Sequence, residues 1–308
     1  MNYILFNIGK TPKYLKYCIN SILSIDKEAK VTLCTDDDLN LNNVEIVNFD
    51  KISELKSKQQ EIKKLFFNTK FNENPLWAAS ILRVYALYYV GLSNDIKDFI
   101  HFDNDVIIYK NLKDIKNDIL LDDKRISITE SDNNHLVFGY SYFPNIENAE
   151  RLCNSFDQIL ENYQYFSNNF ARGGQLNEMR MLKITETINP NLFSILNSLP
   201  YEGPEYLFDP SSYGQYLNGT NTKRGNYFFK RSYVSTSHVV GREIKSKRIK
   251  VNYKGKIPTV YFENQSFTII EFKALVVWLV SDKKGFNSYL LDDIEIGKKI
   301  FMLLNDKV

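Results

Sequence analysis

The sequence predicts an α/β protein with a mixed central sheet flanked by helices, Rossmann-like at its start. Three observations predict it. An apolar run from Tyr3 to Ile8 is followed by Tyr14-Leu15, Cys18-Ile19 and Ile22-Leu23 at helical spacing, and then by a second apolar run from Val31 to Cys34. This is a βαβ opening. A later run, Phe99 to Phe102, is apolar on nearly every residue, as expected of a strand covered on both faces. Each of these runs ends in polar residues: Asn7 and Gly9, then Thr35-Asp36, then Asp103-Asn104-Asp105. In such sheets ligands sit at the carboxyl ends of the strands, so these residues are expected on one rim.

In chain order, Thr11-Pro12 opens the first helix, and Val44 to Val47 reads as a short third strand. Lys51 to Lys70 is a charged helical stretch with an exposed face. Asn74-Pro75 supplies a helix cap and first residue for a helix that runs to Tyr89-Val90 and is expected to stop at Gly91. That helix is apolar nearly all round, which predicts burial. Arg83 is its only charge, and a buried guanidinium needs an anion: either an internal carboxylate such as Asp103 or Asp105, or a ligand phosphate or ribose.

Further on, Arg125 to Thr129 and Leu136 to Phe143 read as strands around Glu130-Ser131-Asp132, and Ile146 to Tyr163 as one amphipathic helix. Gly173-Gly174 precede a helix through Met181 to Ile184. Phe208-Asp209-Pro210 suggests an Asp cap, and Tyr233 to Val240 a strand carrying His238. Beyond it come a basic cluster, a strand at Phe267 to Ile270 and a last amphipathic helix from Ile294 to Leu304.

Composition narrows the class. An apolar fraction of 44% and a charged fraction of 25% belong to an ordinary globular protein. A net charge of +2 without a long basic block is not the footprint of a nucleic-acid binder. Three cysteines, Cys18, Cys34 and Cys153, stand far apart without a Cys-x-x-Cys pair, which argues against a disulfide framework and for a reducing, cytoplasmic setting. The N-terminus lacks the pattern of a signal peptide. The apolar run Ala274 to Val280 is far shorter than the about 20 residues of a spanning helix. No transmembrane segment is expected, and membrane contact would be peripheral.

The Asp103-Asn104-Asp105 stretch admits two readings. A strand can end in a solvated turn rich in Asp and Asn. Two carboxylates at the mouth of a buried strand can instead hold Mg²⁺ or Mn²⁺ against a diphosphate, because hard divalent cations favour oxygen ligands.

Taken with the Arg83 helix just upstream, Phe102-Asp103-Asn104-Asp105-Val106, Phe208-Asp209-Pro210 and Gly214-Gln215-Tyr216, the chain resembles the GT-A nucleotide-sugar glycosyltransferases. The members in question build surface polysaccharides in bacteria and large DNA viruses. The resemblance implies a GT-A catalytic domain over residues 1–260, with a nucleotide-binding half (1–130) and an acceptor half (131–260). A C-terminal α/β extension (261–308) would pack on it. It further implies a nucleotide-diphospho-sugar donor, a UDP-sugar first, a glycan or glycoconjugate acceptor, and Mn²⁺ or Mg²⁺ held by Asp103, Asp105 and His238. Asn7, Gly9, Asp36, Arg83 and Asp103 would contact the donor. Asp209 would be the general base and Asp132 its reserve. The chain departs from the family where Gly174, not an acid, precedes Gln175, and where Val276 to Lys283 lacks a His-x-His-Ser-Lys-like run.

Two other readings compete. The same strand fits a haloacid-dehalogenase-type phosphatase with Asp103 as nucleophile and Asp105 as acid/base, although a complete βαβ unit precedes it here. A catalytically inactive transferase fold that binds sugar is the other.

Overall fold

The computed structural model describes residues 1–67, 69, 75–108, 111, 124–199, 206–210, 249–252, 259–262, 265–269 and 271–273. The chain opens with strand β1 (Asn2–Asn7), helix α1 (Lys13–Ile25), β2 (Lys30–Thr35) and β3 (Val44–Asn48). These three strands pair in parallel, in the order β3-β2-β1, as the βαβ pattern predicts. Along β1, Tyr3 and Leu5 join a core shared with α1, while Ile4 and Phe6 join a larger core on the opposite face. Both faces of the strand are therefore covered, and it carries no polar alternation.

Two helices build the second face, α2 (Ser53–Phe66) and α3 (Pro75–Ser93). The middle of α3, from Ile81 to Val90, packs against β1 and α2. The helix is long and apolar enough to cross a membrane, but much of it lies within the fold. Burial is not complete all round, since Leu76 and Leu92 near its ends are exposed. Nor does the helix stop at Gly91. It ends two residues later, where Asp95 turns left-handed (φ 50°) and the Ile96 amide donates to the Gly91 carbonyl at 2.9 Å. Gly91 serves packing instead: a Cβ there would stand 2.5 Å from Ile146 Cδ1.

Strand β4 (Phe99–Phe102) inserts beside β1 in parallel, and β5 (Val106–Ile108) follows a tight turn closed by the Val106 amide on the Asp103 carbonyl at 3.1 Å. The antiparallel hairpin of β6 (Ile126–Asp132) and β7 (His135–Phe143) then adds to the other side of β4. Two helices replace the single one expected over 146–163. The first, α4 (Ile146–Glu161), is capped by the Asn145 side chain, and the chain re-starts after Asn162 as α5 (Tyr163–Ala171). Helix α6 (Glu178–Ile188), capped by Asn177, leads to β8 (Phe193–Ile195), which pairs in parallel with β6.

The resulting seven-stranded mixed sheet has the order β3-β2-β1-β4-β7-β6-β8 and helices on both faces. Pairing changes from parallel to antiparallel at β4.

Strand β9 (Tyr206–Leu207) joins β10 (Ile249–Asn252), β11 (Thr259–Phe262) and β12 (Gln265–Ile269) in a second sheet, and β13 (Glu271–Lys273) pairs antiparallel with β5. Residue 260 lies within β11. The stretch Tyr233 to Val240 with His238, Gly214 to Tyr216 and the segment Ile294 to Leu304 lie outside the described residues. Cys18, Cys34 and Cys153 are free and buried, and burial pushes the Cys34 thiol up to about 12.

Candidate functional site

The site forms where three parallel strands end together. After β1, Gly9 takes a left-handed conformation (φ 83°) that lets its amide donate to Asp36 Oδ1 at 2.7 Å, beyond the end of β2. The Asn7 side chain donates to the Gly9 carbonyl at 3.0 Å, and the Thr11 amide donates to Asp37 Oδ2 at 2.8 Å. These bonds hold the loop between β1 and α1 against the end of β2. Asn7, Gly9 and Asp36 thus meet, as their strand-end positions predict.

A Cβ at Gly9 would meet no atom within 4 Å, so only the backbone opposes a side chain there. Gly9→Ala should cost about 1 kcal/mol in urea unfolding from the left-handed geometry alone. Unchanged stability would show that the loop relaxes freely.

The Asp103-Asn104-Asp105 turn is tied to the same rim, because Asn104 Nδ2 donates to the Phe6 carbonyl of β1 at 2.8 Å. Asp103 is 24% exposed and Asp105 is half-buried, so both are reachable from solvent. Beneath them lies the Cys18 thiol, which burial and then the two carboxylates push well up.

Arg83 supplies the counter-charge. Its Nη1 pairs with Asp103 Oδ1, its Nη2 lies 2.6 Å from Glu178 Oε1, and its guanidinium sits over the Phe138 ring at 5.4 Å. The two carboxylates raise its already high pKa, against the opposing effect of burial. One arginine from α3 thereby joins the end of β4 to the first turn of α6. Of the two meanings of a buried arginine, an internal acid or a ligand anion, the structure gives it two internal acids.

Glu178 is the functional candidate that sequence reasoning missed. Directly after the Asn177 cap it reads as an ordinary first-turn acid. Only the need of Arg83 for a second anion hints at it, and the two residues are 95 positions apart.

The remaining predicted residues belong to other elements. Asp132, at the tip of the β6–β7 hairpin, accepts from the Asn134 amide at 2.8 Å and lies 2.9 Å from His135 Nδ1, whose Nε2 is 3.3 Å from Arg180 Nη2. Asp209 is buried at 1% exposure, held next to Phe208, whose ring lies 4.9 Å from that of Tyr140. Tyr140 is the strand partner of Phe102, so Phe208 packs behind the residue that precedes Asp103. His238 lies outside the described residues, which contain no cluster of three or more potential metal ligands.

No family model matches the chain, and no curated protein does. Glycosyltransferases are among the solved structures similar to it. Mouse xyloside xylosyltransferase 1, in its apo form, is 13% identical with a TM-score of 0.42, over 64% of this chain and 86% of that one. An active-site mutant of the galactosyltransferase LgtC is 13% identical with a TM-score of 0.45, over 77% and 85% of the respective chains. The PaToxG glycosyltransferase is 18% identical with a TM-score of 0.39, over 61% and 69%.

Proposed function

We propose that this chain is a metal-dependent glycosyltransferase that moves a sugar from a nucleotide-diphospho-sugar, a UDP-sugar first, to a hydroxyl of a glycan or glycoconjugate acceptor. The observation that carries the reading is the pair Asp103 and Asp105, which close buried β4 on the rim that also bears Asn7, Gly9 and Asp36.

The donor set fits a hard divalent cation. Two carboxylate oxygen donors one residue apart, both partly open to solvent, can hold Mn²⁺ or Mg²⁺ and leave positions for phosphate oxygens. In the proposal His238 completes the set. A bound cation would supply charge that stabilises the departing diphosphate.

The chain's own residues would do the rest. Asn7, Gly9 and Asp36 form the wall for the base and ribose. Arg83 offers a cation beside Asp103, suited to phosphate or ribose oxygens. For the acceptor proton the proposed base is Asp209, with Asp132, which bonds His135 and the Asn134 amide, as its reserve. Glu178 enters as the acid that seats Arg83.

The pairing of Asp103 with Arg83 also weighs against the phosphatase reading, since a neighbouring guanidinium stabilises the carboxylate and blunts it as a nucleophile.

Calorimetric titration of UDP, GDP and CDP, with and without Mn²⁺, tests the proposal. Binding of one nucleotide that requires the metal is expected. Absence of binding to all three, with hydrolysis of a phosphate ester, would hand the chain to the phosphatase reading. Glycan binding without any nucleotide would make it an inactive sugar-binding fold.

A further inference from the structure

Among the buried polar atoms that lack a hydrogen-bond partner in the described residues, one donor and one acceptor lie against the same ring and are complementary. Arg83 commits its two terminal nitrogens to Asp103 and Glu178, while its Nε–H is unmatched. His101, 1% exposed on β4, has Nδ1 2.8 Å from the Ile4 carbonyl of β1. A carbonyl only accepts, so Nδ1 carries the proton and Nε2 keeps a lone pair. That Nε2 is the second unmatched atom.

Both side chains converge on one ring. The Arg83 guanidinium lies 5.4 Å from the Phe138 centroid, and the imidazole meets the same ring edge-on at 5.7 Å. A buried donor and a buried acceptor left apart are costly, whereas joined they satisfy each other.

We propose that His101 is a positioning residue for Arg83, its Nε2 accepting from a buried water that in turn accepts from the Arg83 Nε–H, so that the guanidinium keeps its seat when Asp103 is drawn to the donor. The use of this contact rests on the transferase reading; the contact itself does not. Glu178 would hold Nη2, His101 would hold Nε, and Nη1 would be released from Asp103 to face the diphosphate. The sheet thereby extends its reach: a histidine whose other nitrogen bonds β1 fixes a residue of α3.

A double-mutant cycle tests the contact. In His101→Asn the amide nitrogen stands about where Nδ1 stood and can still donate to Ile4, while the Nε2 acceptor is gone. In His101→Gln the side-chain oxygen reaches about the place of Nε2. Arg83→Lys keeps a cation and removes the Nε–H. With Mn²⁺ present, His101→Asn should weaken binding of the nucleoside diphosphate that wild type binds by about tenfold, as for a lost hydrogen bond to a charged group. His101→Gln should restore most of that. In the Arg83→Lys background His101→Asn should change affinity by less than about twofold, because the partner is already absent.

The same loss in both backgrounds, or no loss in either, would overturn the proposal. If wild type binds no nucleoside diphosphate, the transferase reading fails first. The cycle is then read in urea unfolding of the metal-free protein, where non-additive losses keep the His101–Arg83 contact and additive losses overturn it.

Discussion

Asp105→Ala is expected to abolish metal-dependent nucleotide binding while leaving the protein folded. Asp105 stands in a turn outside the cores, half-buried, so its removal should cost less than about 1 kcal/mol of stability. Its role in the proposed site is different. It offers the cation a second carboxylate beside that of Asp103, which also pairs with Arg83. Losing it should weaken nucleotide affinity in Mn²⁺ by about 100-fold or more, the equivalent of about 3 kcal/mol. Titration against wild type, alongside thermal unfolding, separates the two effects. Undiminished binding by a folded Asp105→Ala protein would remove the metal site from the proposal.

Arg83→Met should be the most damaging single change to stability. Glu178 is only 5% exposed at the side chain, and it forms an ion pair with Arg83. Removing the guanidinium leaves that carboxylate buried beside an uncharged side chain, a situation that typically costs about 3–5 kcal/mol. Asp103 loses the same guanidinium, though it is exposed enough to recover water. The double variant Arg83→Met with Glu178→Leu should regain much of the loss, since it removes both buried charges. Urea unfolding of the three proteins checks this. A loss below about 1 kcal/mol for Arg83→Met would show that water reaches Glu178, and that the pair is a surface bridge.

Much of the architecture could be read locally. The βαβ opening, the strand at Phe99 to Phe102 and the start of α3 at Pro75 are short-range consequences of apolar periodicity and of proline's fit to the first residue of a helix. The convergence of Asn7, Gly9 and Asp36 was also legible, because parallel strands must end on the same edge. Helix ends were less so. Gly91 looks like a stop, yet it is there to let Ile146 approach, and that approach belongs to a helix more than fifty residues later.

The sequence by itself determined the fold class, the parallel core of three strands and the presence of two acids at the end of a buried strand, since each depends on neighbours within a few residues. Only the tertiary structure decided what those acids meet. Arg83 reaches Glu178 across 95 positions, and His101 bonds Ile4 across 97. Buried charges and buried ring nitrogens must find partners wherever the fold brings them, and no local pattern in the chain records which partner that will be.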